Sequence, residues 1–180
     1  MMTGAGSYLG TMNVGDLDVW SFTACTGDAL VLQMTKLTNS SSLTPWIRLY
    51  GRDGTLLNSV ANASSALISR TAPASGNYLV VLADDSSGYG GSGAYTFTVN
   101  GLSSGLKLCP LVISCTNADV GGVGGTPGAG FVLFTTTNIT TPAHLWTPIQ
   151  TNLFDQFGVF SYTNLFNPAE RQRYFLLQRQ

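Results

Sequence analysis

The sequence predicts an all-β fold built as a sandwich of antiparallel sheets. Segments in which apolar and polar residues alternate recur about every ten residues, with glycine, proline, asparagine and aspartate between them. No segment keeps a helical period. Only 9% of the 180 residues are charged, against about 25% in a typical domain, so serine, threonine, asparagine and glycine cover much of the surface. Such a surface is typical of extracellular β-proteins rather than of cytosolic enzymes.

Eight strands are predicted in the first half, each from its apolar face and the turn residues that flank it. Trp20 and Phe22 share one face of the second strand, and Leu30, Leu32 and Met34 share one face of the third. A tight Asp-Gly turn follows the fourth strand. The predicted strands cover residues 8–12, 19–23, 29–35, 45–50, 55–57, 66–69, 78–83 and 95–99.

The first half can be arranged around residues 76–99. Residues 78–83 are apolar on both faces, which predicts a strand that is covered on both sides or central in its sheet. Residues 95–99 alternate, which predicts one buried and one wet face. Residues 84–93 are turn-formers apart from Tyr89. We therefore predict a hairpin whose two strands are joined by a flexible loop.

The loop contains a false nucleotide-binding motif. Gly88 to Gly93 fits the spacing G-x-G-x-x-G. That motif holds a pyrophosphate only where a helix follows, with an acidic residue about 20 positions on. Here a predicted strand follows and no acidic residue stands near that distance, so the glycines indicate a loop.

A domain boundary is predicted near residue 103, because residues 100–105 are polar and contain two glycines. The first domain is residues 1–103, and residues 104–180 form a second, smaller β-sandwich domain. Its predicted strands cover residues 106–114, 131–137, 145–147, 158–163 and 174–178. Residues 121–128 are predicted to be a glycine loop, and residues 167–172 a single helical turn.

Three cysteines leave two alternatives open. Cys109 and Cys115 lie in one predicted strand, and six residues of strand span about 20 Å, too far for a disulfide between them. With His144 as the single histidine, the spacing fits no zinc site. Either the three are buried thiols, or a disulfide forms from Cys25 or between chains.

Four segments in a fixed order carry a family resemblance: GDLDVWSF at 15–22, PWIRLYGRDGTLL at 45–57, APASGNYLVVLAD at 72–84 and GSGAYTFTV at 91–99. Together, over about residues 7–100, they resemble the bacterial pre-peptidase C-terminal domain. The resemblance implies a jelly-roll-like sandwich of secreted proteins that serves in secretion, substrate binding or adhesion, with calcium bound in some members. Residues 106–180 resemble a C-terminal β-module of large secreted proteins from Verrucomicrobia-type bacteria.

Two pairs of aspartates are candidate calcium ligands. Asp16 and Asp18 flank a turn, and Asp84 and Asp85 end the central strand. Clustered carboxylates supply the oxygens that calcium needs. The alternative is that these side chains accept hydrogen bonds from turn backbone. Calcium is the one candidate cofactor.

Trp46, Tyr50 and Tyr89 are candidate residues of a binding surface. Trp46 and Tyr50 share a strand face with Arg48, and a charged neighbour favours a wet face. The alternative is that Trp46 packs in the core.

Catalysis finds no support in the sequence. A serine triad needs a histidine, but His144 has no marked nucleophile near it and Asp155 is its only candidate partner. No G-x-S-x-G elbow occurs, and Glu170 is the single glutamate, a poor start for glycoside hydrolysis.

The sequence therefore predicts a non-catalytic extracellular module for adhesion, substrate binding or an accessory role in a larger secreted protein. Its expected partner is a protein or glycan surface. The alternative is a filament subunit that binds copies of itself through strands, with residues 1–7 as the exchanged piece. Basic residues do not cluster and no apolar run approaches about 20 residues, so neither nucleic acid nor a membrane span is expected. Residues 1–4 lack the features of a signal peptide, so an exported chain is expected to be part of something longer.

Overall fold

The computed structural model describes residues 5–39, 41–102, 105–114, 117–165, 167 and 169–180. The chain divides into two compact units, Met1–Gly105 and Leu106–Gln180. Both consist of antiparallel strands, which confirms the all-β prediction. In the described part of the chain no helix is long and apolar enough to span a membrane.

The first unit is a sandwich of two four-stranded sheets. The strand order is β1-β8-β3-β6 in one sheet and β2-β7-β4-β5 in the other, so every connection except that between β4 and β5 passes from one sheet to the other. This arrangement is a jelly roll, as the family resemblance implied. The strands are β1 Gly6–Met12, β2 Asp18–Ala24, β3 Ala29–Lys36, β4 Pro45–Tyr50, β5 Leu56–Ala61, β6 Ser65–Thr71, β7 Gly76–Asp84 and β8 Gly93–Asn100.

The predicted hairpin of residues 76–99 is wrong, although both of its strands exist. β7 pairs with β2 and β4, whereas β8 pairs with β1 and β3 in the opposite sheet. Apolar periodicity shows that a segment is extended and which face it buries, but it does not choose the partner strand. The Gly/Ser loop therefore bridges the two sheets at one end of the sandwich.

The core of the first unit lies between the inner faces of its two sheets. Tyr78 and Phe22 stack with ring centroids 5.6 Å apart, and Trp20 packs against Phe97 at 6.0 Å. The side chains of Leu30, Leu32 and Met34, predicted to share one face, are all fully buried. Alternating residues from both sheets thus form one continuous core.

A hydrogen bond between side chains of β8 and β2 joins the two sheets through this core. The Tyr95 hydroxyl in β8 donates to Asp18 Oδ2 in β2 over 2.5 Å. Burial, and then the neighbouring Asp18 carboxylate, raise the pKa of Tyr95 well above its ordinary value. The Tyr95 hydroxyl therefore stays protonated, and its hydrogen bond to Asp18 satisfies this polar group inside the sandwich.

The second unit is smaller and is also built of antiparallel sheets. One sheet has the order β10-β11-β14, with β9 also paired to β11, and the other has the order β13-β12-β15. Phe131, Phe154 and Phe160 meet in its core, with centroid separations of 4.6 to 6.0 Å. The strands are β9 Lys107–Leu108, β10 Val112–Ser114, β11 Asn117–Val123, β12 Gly130–Thr136, β13 Thr147–Leu153, β14 Phe160–Leu165 and β15 Tyr174–Arg179.

The predicted glycine loop at residues 121–128 is wrong at its start, because β11 runs through Gly121, Gly122 and Val123. A Cβ on Gly122 would come within 2.3 Å of the Phe160 ring and within 2.9 Å of the Lys107 carbonyl. Glycine at this position allows the Phe160 ring to lie directly on the strand. In the sequence, such glycines look the same as those of a loop.

Three further predictions in the second unit need correction. The strand predicted over residues 106–114 is broken at Pro110, which has no backbone N–H to give to a sheet, and β9 and β10 lie on either side of it. A short 3₁₀ helix, Ala143–Leu145, precedes β13 where a strand was predicted. The described residues of 167–172 form a turn, with Glu170 N donating to the Asn167 carbonyl, rather than a helix.

Cys25 and Cys109 are both disulfide-bonded. The sequence left two alternatives open, and the one in which all three cysteines are buried free thiols is therefore wrong. Cys115 lies outside the described residues. Disulfides persist in oxidising compartments, so the bonding indicates a location outside the cytoplasm.

Candidate binding surface

The outer face of strand β4 carries three polar or aromatic side chains in a row. Pro45, Ile47 and Leu49 point into the core, so Trp46, Arg48 and Tyr50 point outward by the period of two. Trp46 is half-buried and its Nε1 donates to Ser59 Oγ on β5 over 2.8 Å. The alternative that Trp46 packs in the core is thereby excluded.

Tyr89 reaches this face from the loop that follows β7. Its ring stacks on Trp46 with centroids 6.4 Å apart and an interplanar angle of 18°. The Arg48 guanidinium lies 4.1 Å from the centre of the Trp46 ring, a cation–π distance. We call Trp46, Arg48 and Tyr89, with Tyr50 beyond them on the same strand face, the aromatic face.

Tyr89 is a large side chain that is exposed to solvent, and its backbone conformation is unusual. It is 59% accessible, and it is the one described residue other than glycine with a positive φ, 53°. A bulky residue in this left-handed region is uncommon and costs about 1 kcal/mol or more. The surrounding loop therefore holds Tyr89 in a conformation that the residue would not adopt by preference.

The loop is held by a buried carboxylate at the end of β7. Asp84 is 5% exposed, and it accepts hydrogen bonds from Thr44 N at 2.8 Å, from Gly91 N at 2.7 Å and from the Ser86 hydroxyl. A Cβ on Gly91 would lie 2.4 Å from Asp84 Oδ1, so only glycine fits there. One carboxylate thus ties both ends of the Tyr89 loop to the loop before β4.

Two opposing effects set the pKa of Asp84. Burial disfavours the charged form, but the hydrogen bonds from Ser86, Thr44 and Gly91 favour it and prevail, so the pKa is lowered from 3.8. Asp84 is therefore ionised at neutral pH, when it binds the loop most strongly.

Aliphatic side chains extend the aromatic face across the sheet. Leu79 of β7 lies opposite Tyr50, Val81 lies opposite Arg48, and Val19 of β2 lies opposite Val81. Val19 is 62% exposed and Leu79 is 40% exposed. The outer face of this sheet therefore combines an aromatic and cationic row with an apolar strip, as binding surfaces do.

The four candidate calcium ligands are placed as follows. The pairing of Asp18 with Leu82 puts Asp18 and Asp84 on the same inward face at one end of the sheet. Asp16 accepts a hydrogen bond from Leu17 N, Asp18 accepts one from Tyr95, and Asp85 is exposed. Among the described residues, no three His, Cys, Asp or Glu side chains are grouped to hold a metal ion. Calcium binding at Asp16, Asp18, Asp84 and Asp85 stays a prediction.

The single histidine, His144, lies in the second unit. His144 is exposed in the 3₁₀ helix before β13. The Asp155 carboxylate instead accepts hydrogen bonds from Phe157 N and Val159 N, both at 2.8 Å, and so closes the turn before β14.

The fold and this surface together define a class: a β-sandwich module with an exposed aromatic face. Residues 16–84 match the family model of the bacterial pre-peptidase C-terminal domain, and the chain carries a domain of that family. The jelly roll extends beyond the match on both sides, to β1 and β8. Domains of this family are non-catalytic modules of secreted bacterial proteins.

Among solved structures, the chain is similar to Salmonella Typhimurium PliG, a periplasmic lysozyme inhibitor of g-type lysozyme. The identity is 18% and the TM-score 0.36, over 53% of this chain and 91% of that chain. No functional conclusion rests on so distant a likeness. A comparison with curated proteins finds no match.

Proposed function

We propose that this protein is a non-catalytic extracellular module that attaches to a glycan or protein surface through the aromatic face. The observation that carries the proposal is Tyr89, an exposed tyrosine with a left-handed backbone that stacks on Trp46. Its loop is tied by Gly91 and Ser86 to the buried Asp84 carboxylate, which also accepts a hydrogen bond from Thr44 N. Backbone strain that the fold maintains is concentrated at functional positions.

The chemistry of the aromatic face supports this kind of ligand. Tyrosine and tryptophan offer large, rigid contact areas at a low entropic cost, and Arg48 adds hydrogen-bond donors beside them. In the described part of the chain Arg48 Nε is buried and has no hydrogen-bond partner, and the guanidinium lies 4.1 Å from the centre of the Trp46 ring. Side chains on the outer face of a sheet fit a polymer surface better than a small molecule, which needs an enclosed pocket.

The proposal is tested by binding of the full chain to a panel of immobilised polysaccharides and to collagen. Tyr89→Ala is expected to weaken binding to any positive surface by about tenfold, because aromatic anchors dominate interface energies. Leu9→Ala is the matched control, since Leu9 is 77% exposed on β1 of the other sheet. An empty panel, or equal binding of the two variants, would count against the proposal.

A filament subunit is the second candidate. It is favoured by the edge strand β1, where Leu9 is exposed in the outermost position of its sheet. Residues 1–7 are the segment suggested for strand exchange. Gly6 and Ser7 pair with β8 of the same chain, and residues 1–4 lie outside the described residues. Electron microscopy of the purified protein distinguishes filaments from single particles.

A further inference from the structure

A groove in the second unit is separate from the aromatic face. It has a volume of about 300 Å³ and lies between strand β10 and the segment that leads into β15. Leu111 and Ile113 form one wall, Phe175 forms part of the lining, and Arg171 and Arg173 stand on the other wall. Its size is at the lower end for ligand sites, enough for one or two side chains.

The first wall is an apolar strand edge. In the described residues β10 pairs with β11 alone, so it is the outer strand of its sheet. Val112 and Ile113 are 45% and 54% exposed, and Leu111 beside them is also exposed. Edge strands with exposed apolar residues and unpaired backbone groups add further strands readily, unless charge or proline prevents it. Pro110 limits pairing to the residues after it.

The other wall carries an excess of positive charge. Arg173 forms an ion pair with Glu170 at 2.6 Å, and Glu170 is the one acidic side chain among the described residues that line the groove. Arg171 is exposed, and no ion pair joins it to a described acidic residue. An occupant of this groove therefore meets an apolar wall on one side and an uncompensated guanidinium on the other.

We propose that this groove binds a short extended peptide, which pairs with the outer edge of β10, places an apolar side chain between Ile113 and Phe175, and turns an acidic side chain toward Arg171. Backbone pairing supplies affinity in such strand addition, and pockets for alternate side chains supply specificity. A carboxylate opposite arginine gains charge-assisted hydrogen bonds. The free strand edge favours a peptide over a glycan or a lipid, neither of which has a β-strand backbone.

The test is selection of a displayed random heptapeptide library on the full chain. Selected peptides are expected to alternate apolar residues with at least one acidic residue. Their affinity, measured by fluorescence anisotropy, is expected to fall about tenfold or more for Arg171→Glu and for Ile113→Asp. Ile139→Asp is the control, because Ile139 is equally exposed, at 55%, in a loop elsewhere in the same unit.

Three outcomes would overturn the proposal. The first is a library that yields no binder. The second is a set of peptides that bind Arg171→Glu and Ile113→Asp as tightly as the unaltered protein. The third is self-association in analytical ultracentrifugation that Ile113→Asp abolishes, because a second copy of the chain would then be the occupant.

Discussion

At the scale of single residues, the Asp84 carboxylate has the largest consequences for the proposed function. It is nearly fully buried, it carries a charge at neutral pH, and its hydrogen-bond partners come from both flanking loops. Buried charges are tolerated only when they are fully hydrogen-bonded. The position of Tyr89 thus depends on a residue that does not itself reach the outer face.

Replacement of Asp84 by alanine is expected to lower the free energy of unfolding by about 2–4 kcal/mol, because the N–H groups of Thr44 and Gly91 lose their acceptor. Urea unfolding measures the change. Asp85→Ala is the matched control, since its side chain is exposed, and it is expected to change stability by less than about 0.5 kcal/mol. Equal losses in the two variants would contradict the assigned role.

The stability that Asp84 contributes depends on pH. Its folded pKa lies below the ordinary value of 3.8, so its contribution is complete above that value and is lost as the pH falls through the lower, folded pKa. Urea unfolding at a series of pH values from about 6 to 2 is expected to show a shallower acid decline for Asp84→Ala than for the unaltered protein. An identical decline would show that other carboxylates account for it.

At the scale of elements, strands are held together by contacts that cross between them. Tyr95 of β8 and Asp18 of β2 belong to opposite sheets and share one hydrogen bond. In the second unit, Phe160 of β14 lies on Gly122 of the neighbouring strand β11. Each contact fixes how two elements sit together.

Tyr95→Phe is expected to cost about 1.5–3 kcal/mol, because it removes a hydrogen bond to a charged acceptor and leaves the ring packing unchanged. Thermal or urea unfolding gives the value. The control is Ser7→Ala, which removes the exposed hydrogen bond between Ser7 and Thr98 within one sheet and should cost little. A loss for Ser7→Ala as large as that for Tyr95→Phe would refute the bridging role.

Gly122→Ala is expected to destabilise the second unit by about 1–3 kcal/mol, because the new methyl group would overlap the Phe160 ring. Gly121→Ala is the control on the adjacent position, where a Cβ would make only an ordinary contact at 3.5 Å. Chemical unfolding followed by circular dichroism compares the two, and the prediction fails if the variants are equally stable.

At the scale of the whole molecule, a low content of charged residues, two compact β units and disulfide-bonded cysteines are mutually consistent. A chain with few charges relies on packing rather than on ion pairs, and oxidising surroundings add covalent support. These features agree with the secreted setting of pre-peptidase C-terminal domains.

Reduction is expected to destabilise the protein by about 2–5 kcal/mol, the range for small domains that lose a native disulfide. Cys25 and Cys109 should resist alkylation until a reductant is added, and mass spectrometry of tryptic peptides identifies the modified cysteines. Labelling of both without reductant would contradict the disulfide bonding.

Much of the fold was predictable from the sequence, but much of the candidate surface was not. Strand β4 was predicted with its observed ends, since Pro45 begins it and a glycine turn follows Tyr50. Strand β11 was missed, because its glycines serve ring packing that no local pattern reveals. Trp46 and Tyr89 were named separately, but their stacking joins residues 43 positions apart and has no signal in the sequence.

The sequence by itself determined that this chain forms strands, which side chains point inward, and that its exterior is polar with few charges. These properties follow from the alternation of side chains along a strand and from their solubility in water, both of which are local. Only the tertiary structure decided which strands pair, that β7 and β8 lie in opposite sheets, and that Asp84 holds Tyr89 against Trp46. The pairing and the position of Tyr89 depend on contacts between segments that are distant in the sequence. These contacts stabilise the protein only when the sheets have packed together.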